Sequence, residues 1–181
     1  MKLFSFWRSL ATYRVRIALN LKGLDHESVF VSLPKMENFD SEFTNLNPQQ
    51  LLPTLVDGDD VLIQSMAIIE YLDETYPEIP LMPDTPSKRA YVRAVSHGIA
   101  CDISPLNNVG PLRYLENEMG IDADKRQAWY EHWVKKGFIA LEALLVQRGL
   151  SGKYCFGDQV TLADICLVPQ VFNAQRFNCP L

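Results

Sequence analysis

No apolar run in the sequence approaches the roughly 20 residues that a helical membrane span requires, so a transmembrane helix is excluded. Basic residues are the minority: 17 Lys and Arg against 22 Asp and Glu leave a net charge of −5, the wrong sign for a general nucleic-acid binder. Cysteine is sparse and ill-spaced. Cys101, Cys155, Cys166 and Cys179 form neither a zinc pattern nor a redox C-x-x-C. With no signal-like start, they read as free thiols of a protein in the reducing cytosol. His26, His97 and His132 are far apart and make no metal pattern. Internal repeats and low-complexity tracts are absent. What remains is an ordinary globular composition, 48% hydrophobic and 22% charged. Its 181 residues suffice for one sizeable domain or two small ones.

One stretch stands out, Phe6-Trp7-Arg8-Ser9-Leu10-Ala11-Thr12-Tyr13-Arg14-Val15-Arg16-Ile17-Ala18-Leu19. Residues 1–6 read as a strand and Arg14 to Lys22 as a helix, closed by Gly23 at its C′ position. The loop between them carries hydroxyls and opens a helix. A helix start presents unpaired N–H groups and the positive end of a dipole, a place that stabilises an anion. Arg8, Arg14 and Arg16 make this a basic island in an acidic chain, suited to a small anion rather than a polymer. Within the helix, Arg14, Arg16 and Lys22 are expected on the solvent side.

Ser28 to Leu33 reads as a second strand, parallel to the first because a helix joins them. Asp40 to Leu46 is a short helix. Asp57-Gly58 turns a hairpin whose first strand is opened by Pro53. Ser65 is expected as N-cap of the next helix, with Ile68, Ile69, Leu72 and Tyr76 inward and Glu70, Asp73 and Glu74 wet. Residues 77–86 hold four of the eleven prolines and read as a boundary. Beyond it the pattern is helical. Val92, Val95, Ile99 and Ile103 mark a first long helix. Ala128 to Gln147 marks a second, with Trp129, Trp133, Phe138, Leu141, Leu144 and Leu145 inward and Gly137 allowing close packing. Thr161-Leu162-Ala163-Asp164 resembles a capping box opening a buried helix. The last residues carry no clear stop and the helical half is thin for a finished bundle, so the chain is expected to end early.

An α/β half with a Pro-led hairpin, a proline-rich boundary and an all-α half resembles the glutathione transferases. The zeta class, the maleylacetoacetate and maleylpyruvate isomerases, is resembled through Trp7-Arg8-Ser9, Asn47-Pro48-Gln49-Gln50 with Pro53, and Ile63-Gln64-Ser65. Further matches are Cys101-Asp102-Ile103, Pro105-Leu106-Asn107-Asn108, Leu167-Val168-Pro169-Gln170 and Ala174-Gln175-Arg176-Phe177. The resemblance implies a thioredoxin-like domain at 1–79, a linker at 80–86 and a helical bundle at 87–181. It implies a cytoplasmic homodimer that uses glutathione and takes no nucleic acid or membrane as partner.

It also implies a set of site residues. Ser9 would activate the glutathione thiol, with Leu10, Ala11, Thr12 and Arg14 around it. Leu52, before an expected cis Pro53, would meet the cysteinyl part. Gln64 and Ser65 would hold the γ-glutamyl carboxylate. Ser104 and Asn108, with Asp102 as a weaker candidate, would line the site. Arg8 and Arg176 would bind the carboxylates of a dianionic cis-enedione acid, whose double bond isomerises after thiolate addition. No metal is implied. Two departures stand out: Leu10-Ala11 where members commonly carry Ser-Cys or Ser-Ala, and Val109-Gly110-Pro111 where many carry arginine, a contact that Arg113 could supply. A generalist transferase, one acting on α-halo acids, or a non-catalytic glutathione-binding protein are the alternatives.

Overall fold

A computed structural model describes all residues, Met1–Leu181, and divides them into two compact units, Met1–Leu81 and Met82–Leu181. The division falls inside the proline-rich stretch. Leu81 and Met82 are themselves buried, at 2% and 4% exposure, so this stretch is not a solvated tether.

The first unit is a four-stranded mixed sheet in the order β2-β1-β3-β4. Its strands are β1 (Lys2–Ser5), β2 (Glu27–Phe30), β3 (Thr54–Asp57) and β4 (Asp60–Ile63). β1 runs parallel to β2 and antiparallel to β3, and β3 pairs with β4 through the Asp57-Gly58 turn expected from sequence. The register sets Val29, Phe4, Thr54 and Ile63 in one row across the sheet. The helices are α1 (Leu10–Lys22), α2 (Ser41–Leu46) and α3 (Ser65–Thr75). α1 starts four residues earlier than its periodicity suggested, because Ser9 caps it directly. It ends as expected: Gly23 takes φ 65°, and the N–H groups of Gly23 and Leu24 close on Asn20 and Leu19 in a Schellman pattern.

Leu3 and Leu55, directly opposed in register, are fully buried, as are Val15, Ala18 and Leu19 of α1 and Ile68 and Leu72 of α3. Each such Leu, Ile or Val side chain contributes about 1.5–3 kcal/mol. A second cluster gathers Phe6, Val31, Phe43 and Leu52.

Three charged residues expected to face solvent do not. Arg14 is 3% exposed. Lys22 is buried with its Nζ donating to the carbonyls of Tyr76 (2.7 Å) and Ile79 (2.6 Å) and lying 3.6 Å from the Asp73 carboxylate. Asp73 accepts in turn from the Leu81 N–H at 2.6 Å. These groups tie the end of the unit to α1 and α3. A charge can sit this deep only when paired and hydrogen-bonded. Helical periodicity cannot show that, since it reports side-chain type and not partner.

The second unit holds α4 (Pro86–His97), a π-helical turn (Gly98–Ile103), a 3₁₀ turn (Ser104–Asn107), α5 (Val109–Asn117), α6 (Ala123–Arg148) and α7 (Leu162–Arg176). Val92, Val95, Ile99 and Ile103 are buried as expected. α6 begins earlier than predicted, because Asp122 caps a polar first turn by accepting from the Lys125 N–H. Its inward phase also differs: Tyr130, Val134 and Leu141 are buried, whereas Trp129 and Trp133 are only half-buried. The polar edge of Trp129 explains its place, since its Nε1 donates to the Leu106 carbonyl at 2.8 Å. Gly137 lies so close to Ile103 that any Cβ would collide with that side chain. Tyr130 stacks on Phe177 at 4.6 Å and packs with Ile103, Val134 and Ala174. No helix is long and apolar enough to cross a membrane.

Candidate functional site

The row through Phe4, Thr54 and Ile63 brings three segments to one end of the sheet. β1 leaves it toward Ser9, β3 enters it from Pro53, and β4 leaves it toward Gln64 and Ser65. The sequence spaces these segments over more than fifty residues; the antiparallel register is what joins them.

The first is the start of α1. Ser9 has extended backbone (φ −73°, ψ 123°), and its Oγ accepts the Thr12 N–H at 3.2 Å. The Ser9 N–H itself donates to the Phe6 carbonyl at 2.9 Å, and the Tyr13 N–H closes on Ser9 O. Of the orphan donors that open a helix, two remain, the N–H groups of Leu10 and Ala11. No acid occupies the first turn. A serine hydroxyl has one proton to donate and two acceptor lone pairs. Capping uses a lone pair, so the Ser9 proton is still available. The site can therefore offer one hydroxyl donor, two backbone donors and the positive helix end to an anion. The Leu10 and Ala11 departures leave those backbone donors intact. Thr12 contributes differently from expectation: it is fully buried and its hydroxyl has no partner, so only its N–H takes part, through Ser9.

The second segment is the cis peptide bond Leu52-Pro53. The Leu52 side chain points into the Phe6 cluster, which leaves its backbone as the part available at that end of the sheet. The preceding loop is fixed by Asn47, 1% exposed, whose Nδ2 donates to the Leu51 carbonyl (2.8 Å) and to Thr54 Oγ1 (3.1 Å) while Oδ1 accepts the Gln49 N–H (3.0 Å). In the sequence Asn47 stands only as part of the Asn47-Pro48-Gln49-Gln50 motif, and this role emerges in the fold. The Asn-Pro pair, a turn signal, was the available clue.

The third segment is the start of α3. Here Gln64, not Ser65, is the N-cap, and Ser65 is the first helical residue. Gln64 holds φ 70°, a conformation a non-glycine side chain resists. Such strain collects at ligand clamps. Gln64 Nε2 donates to Gln49 Oε1 at 2.7 Å, which links this segment to the loop before Pro53. Buried Arg14 reaches from α1 to donate to Ser65 Oγ at 3.5 Å. α3 also lacks an acid in its first turn. The two helix starts thus share a buried guanidinium between them, and both favour an anion.

Arg8 is exposed, its guanidinium carbon 4.4 Å from the Trp7 ring centre. In the second unit, the Ser104 hydroxyl donates to Gln170 Oε1 at 2.7 Å, a buried bond tying the 3₁₀ turn to α7. Asn108 caps α5 by accepting the Val109 N–H at 2.8 Å. Asp102 is exposed on the rim of a groove of about 360 Å³ with Trp133 and Lys136. Arg113 is exposed on α5 and lines a different groove, with Tyr130 and Phe177. Arg176 is exposed in the last turn of α7, 5.0 Å from the Phe177 ring centre.

Residues 1–74 match the family model for the glutathione S-transferase N-terminal domain, and residues 127–178 that for the C-terminal domain. The probable maleylacetoacetate isomerase of Vibrio cholerae serotype O1 is 49% identical over 178 residues, which cover 97% of this chain and 82% of that protein. A holo structure of a maleylpyruvate isomerase, described as a bacterial zeta-class glutathione S-transferase, is 49% identical with a TM-score of 0.97 over 100% of this chain and 85% of its own. A maleylacetoacetate isomerase of Methylobacterium extorquens AM1, solved with malonate and glutathione bound, is 36% identical with a TM-score of 0.96, over 99% of this chain and 85% of that one.

Proposed function

The chain belongs to the glutathione S-transferase family, in its zeta class, and on that premise we propose that it is a glutathione-dependent cis–trans isomerase of maleylacetoacetate. The observation that carries this reading is the convergence, at one end of the sheet, of an acid-free capped helix start, a cis-proline and a second acid-free helix start. Glutathione fits these parts by chemistry. Gln64, Ser65 and the start of α3 suit its γ-glutamyl carboxylate. The backbone of Leu52 suits the cysteinyl amide, and the start of α1 suits the sulfur.

Bound glutathione supplies a thiolate nucleophile that adds to the cis double bond and departs once the bond has turned. The chain's task is to keep that sulfur ionised. A free thiol titrates near about 8.5, and each unit of lowering needs about 1.4 kcal/mol of preference for the thiolate. The Ser9 hydroxyl, as a charge-assisted donor, together with the helix end, supplies one to two such units. Arg14 braces Ser65 and adds positive charge between the two helix starts. The guanidinium of Arg8 suits a carboxylate of the acid, since a guanidinium forks onto a carboxylate. The Methylobacterium relative was solved with malonate and glutathione bound, which supports a dicarboxylate. The hydroxyl of Ser104 is engaged by Gln170, so its contribution is to hold the turn that carries Asn108.

Four free cysteines suit a reducing cytosol, and a homodimer follows from the family reading; sedimentation tests it. Purified protein with glutathione should bleach the enedione absorbance of maleylacetoacetate. Turnover of maleylpyruvate alone would move the assignment to that acid. Conjugation of simple electrophiles without isomerisation would support the generalist transferase, and glutathione binding without any turnover the carrier.

A further inference from the structure

Trp7 is 59% exposed, although it follows the buried Phe6 and begins the loop that leads to Ser9. Its ring meets the core only at Phe6, with centroids 6.2 Å apart and planes tilted by 46°. The guanidinium carbon of Arg8 lies over it, 4.4 Å from the indole ring centre. Arg8 makes no ion pair with any acid of the chain, in a protein where acids outnumber bases. A guanidinium stacked on an aromatic face is held in plane, while its N–H donors all lie in that plane and stay free at the edges. An unstacked surface arginine must instead be ordered each time it grips a carboxylate.

We propose that Trp7 is a positioning residue: its ring holds the Arg8 guanidinium edge-outward as a ready fork for one carboxylate of the acid substrate. The inference rests on the isomerase reading, in which Arg8 binds that carboxylate. Its chemistry is specific to an aromatic face and does not depend on side-chain bulk. An exposed cation–π contact corresponds to roughly a two- to fivefold change in an equilibrium constant.

Steady-state kinetics with the full chain at saturating glutathione test this, using the cis-enedione acid as substrate and malonate as a competitive probe. Trp7→Leu should raise the KM for the acid and the Ki for malonate two- to fivefold. The KM for glutathione, kcat and the melting temperature should stay as they are. Trp7→Phe, which keeps a ring face, should recover most of the loss. Arg8→Ala should raise the acid KM further, and adding Trp7→Leu to it should change nothing more. If Arg8→Ala leaves the acid KM unmoved, the assignment of Arg8 fails and the proposal with it. If Arg8→Ala raises it but Trp7→Leu does not, or if Trp7→Leu costs as much without Arg8 as with it, the assignment stands and the positioning role is overturned.

Discussion

Two helices of this protein start with nearly the same four residues. α1 opens on Ser9-Leu10-Ala11-Thr12 and α7 on Thr161-Leu162-Ala163-Asp164. They share a hydroxyl cap and the Leu-Ala that follows, and the fourth residue separates them. At α7, Asp164 brings its own anion: Oδ2 accepts the Thr161 N–H (2.8 Å) and the Thr161 hydroxyl (3.1 Å), while Oδ1 accepts the Cys155 N–H (2.8 Å). That helix start is closed. At α1 the fourth residue is uncharged and buried, no carboxylate sits at the helix start, and the Ser9 proton is unused. That start is open. The nearby thiol at α7 shows the consequence. Burial, and then the charge of and hydrogen bond with Asp164, push the Cys155 thiol up to about 12. Burial is the larger cause there, and the carboxylate at the helix start adds to it; a start without a carboxylate lacks that contribution and favours a thiolate presented to it.

The comparison can be broken most forcefully at its closed member. Asp164→Ala removes three hydrogen bonds to a charged group and should cost roughly 2–4 kcal/mol of stability, read by denaturant unfolding. A loss below about half a kcal/mol would show that α7 does not depend on its own anion. Transplanting the closed pattern comes next. Thr12→Asp places a carboxylate at the start of α1, and glutathione affinity by calorimetry should fall by about a hundredfold as that charge competes for the helix end. Undiminished affinity would mean that α1 is no anion site.

Ser9→Ala should lower turnover about thirtyfold through the lost charge-assisted donor and stability by about 1 kcal/mol through the lost cap. A stability loss with full turnover would reduce Ser9 to a cap alone. The smallest effect concerns Cys155. Its folded pKa is raised above the ordinary 9.0 toward about 12. The protonated form is thus favoured by the fold, and the associated stability is complete below about pH 9 and lost as pH rises toward 12. Alkaline titration of the melting temperature should therefore steepen above pH 9, and Asp164→Asn should lessen that slope only in part, since burial is the larger cause.

Much of the frame was legible because its signals are local. The βαβ unit, the Asp57-Gly58 hairpin, Gly23 at the end of α1, the Thr161 to Asp164 box and Pro53 each depend on a few adjacent residues, and the structure keeps them all. What escaped depends on distant partners. Arg14 and Lys22 look like solvent-facing charges until Ser65, Tyr76 and Ile79 are brought beside them. Ser65 looks like a cap because serine prefers that position, yet the chain turns at Gln64 with a positive φ that glutamine does not advertise. The inward phase of α6 was misjudged because its two tryptophans were read as wholly apolar, whereas Trp129 spends its N–H on Leu106 at the edge of the core. In the candidate site, the residues at the start of α1 were legible as a group. What each can offer was not: Leu10 and Ala11 present only backbone N–H groups there, and the Thr12 N–H is taken by Ser9.

The most direct test of the open helix start is the ionisation of glutathione on the protein. Thiolate absorbance of the bound tripeptide, titrated against pH, should give a pKa one to two units below the free value of about 8.5. Ser9→Ala should return it most of the way. A bound thiol that titrates like the free one, or a lowered pKa that Ser9→Ala does not move, would contradict the account.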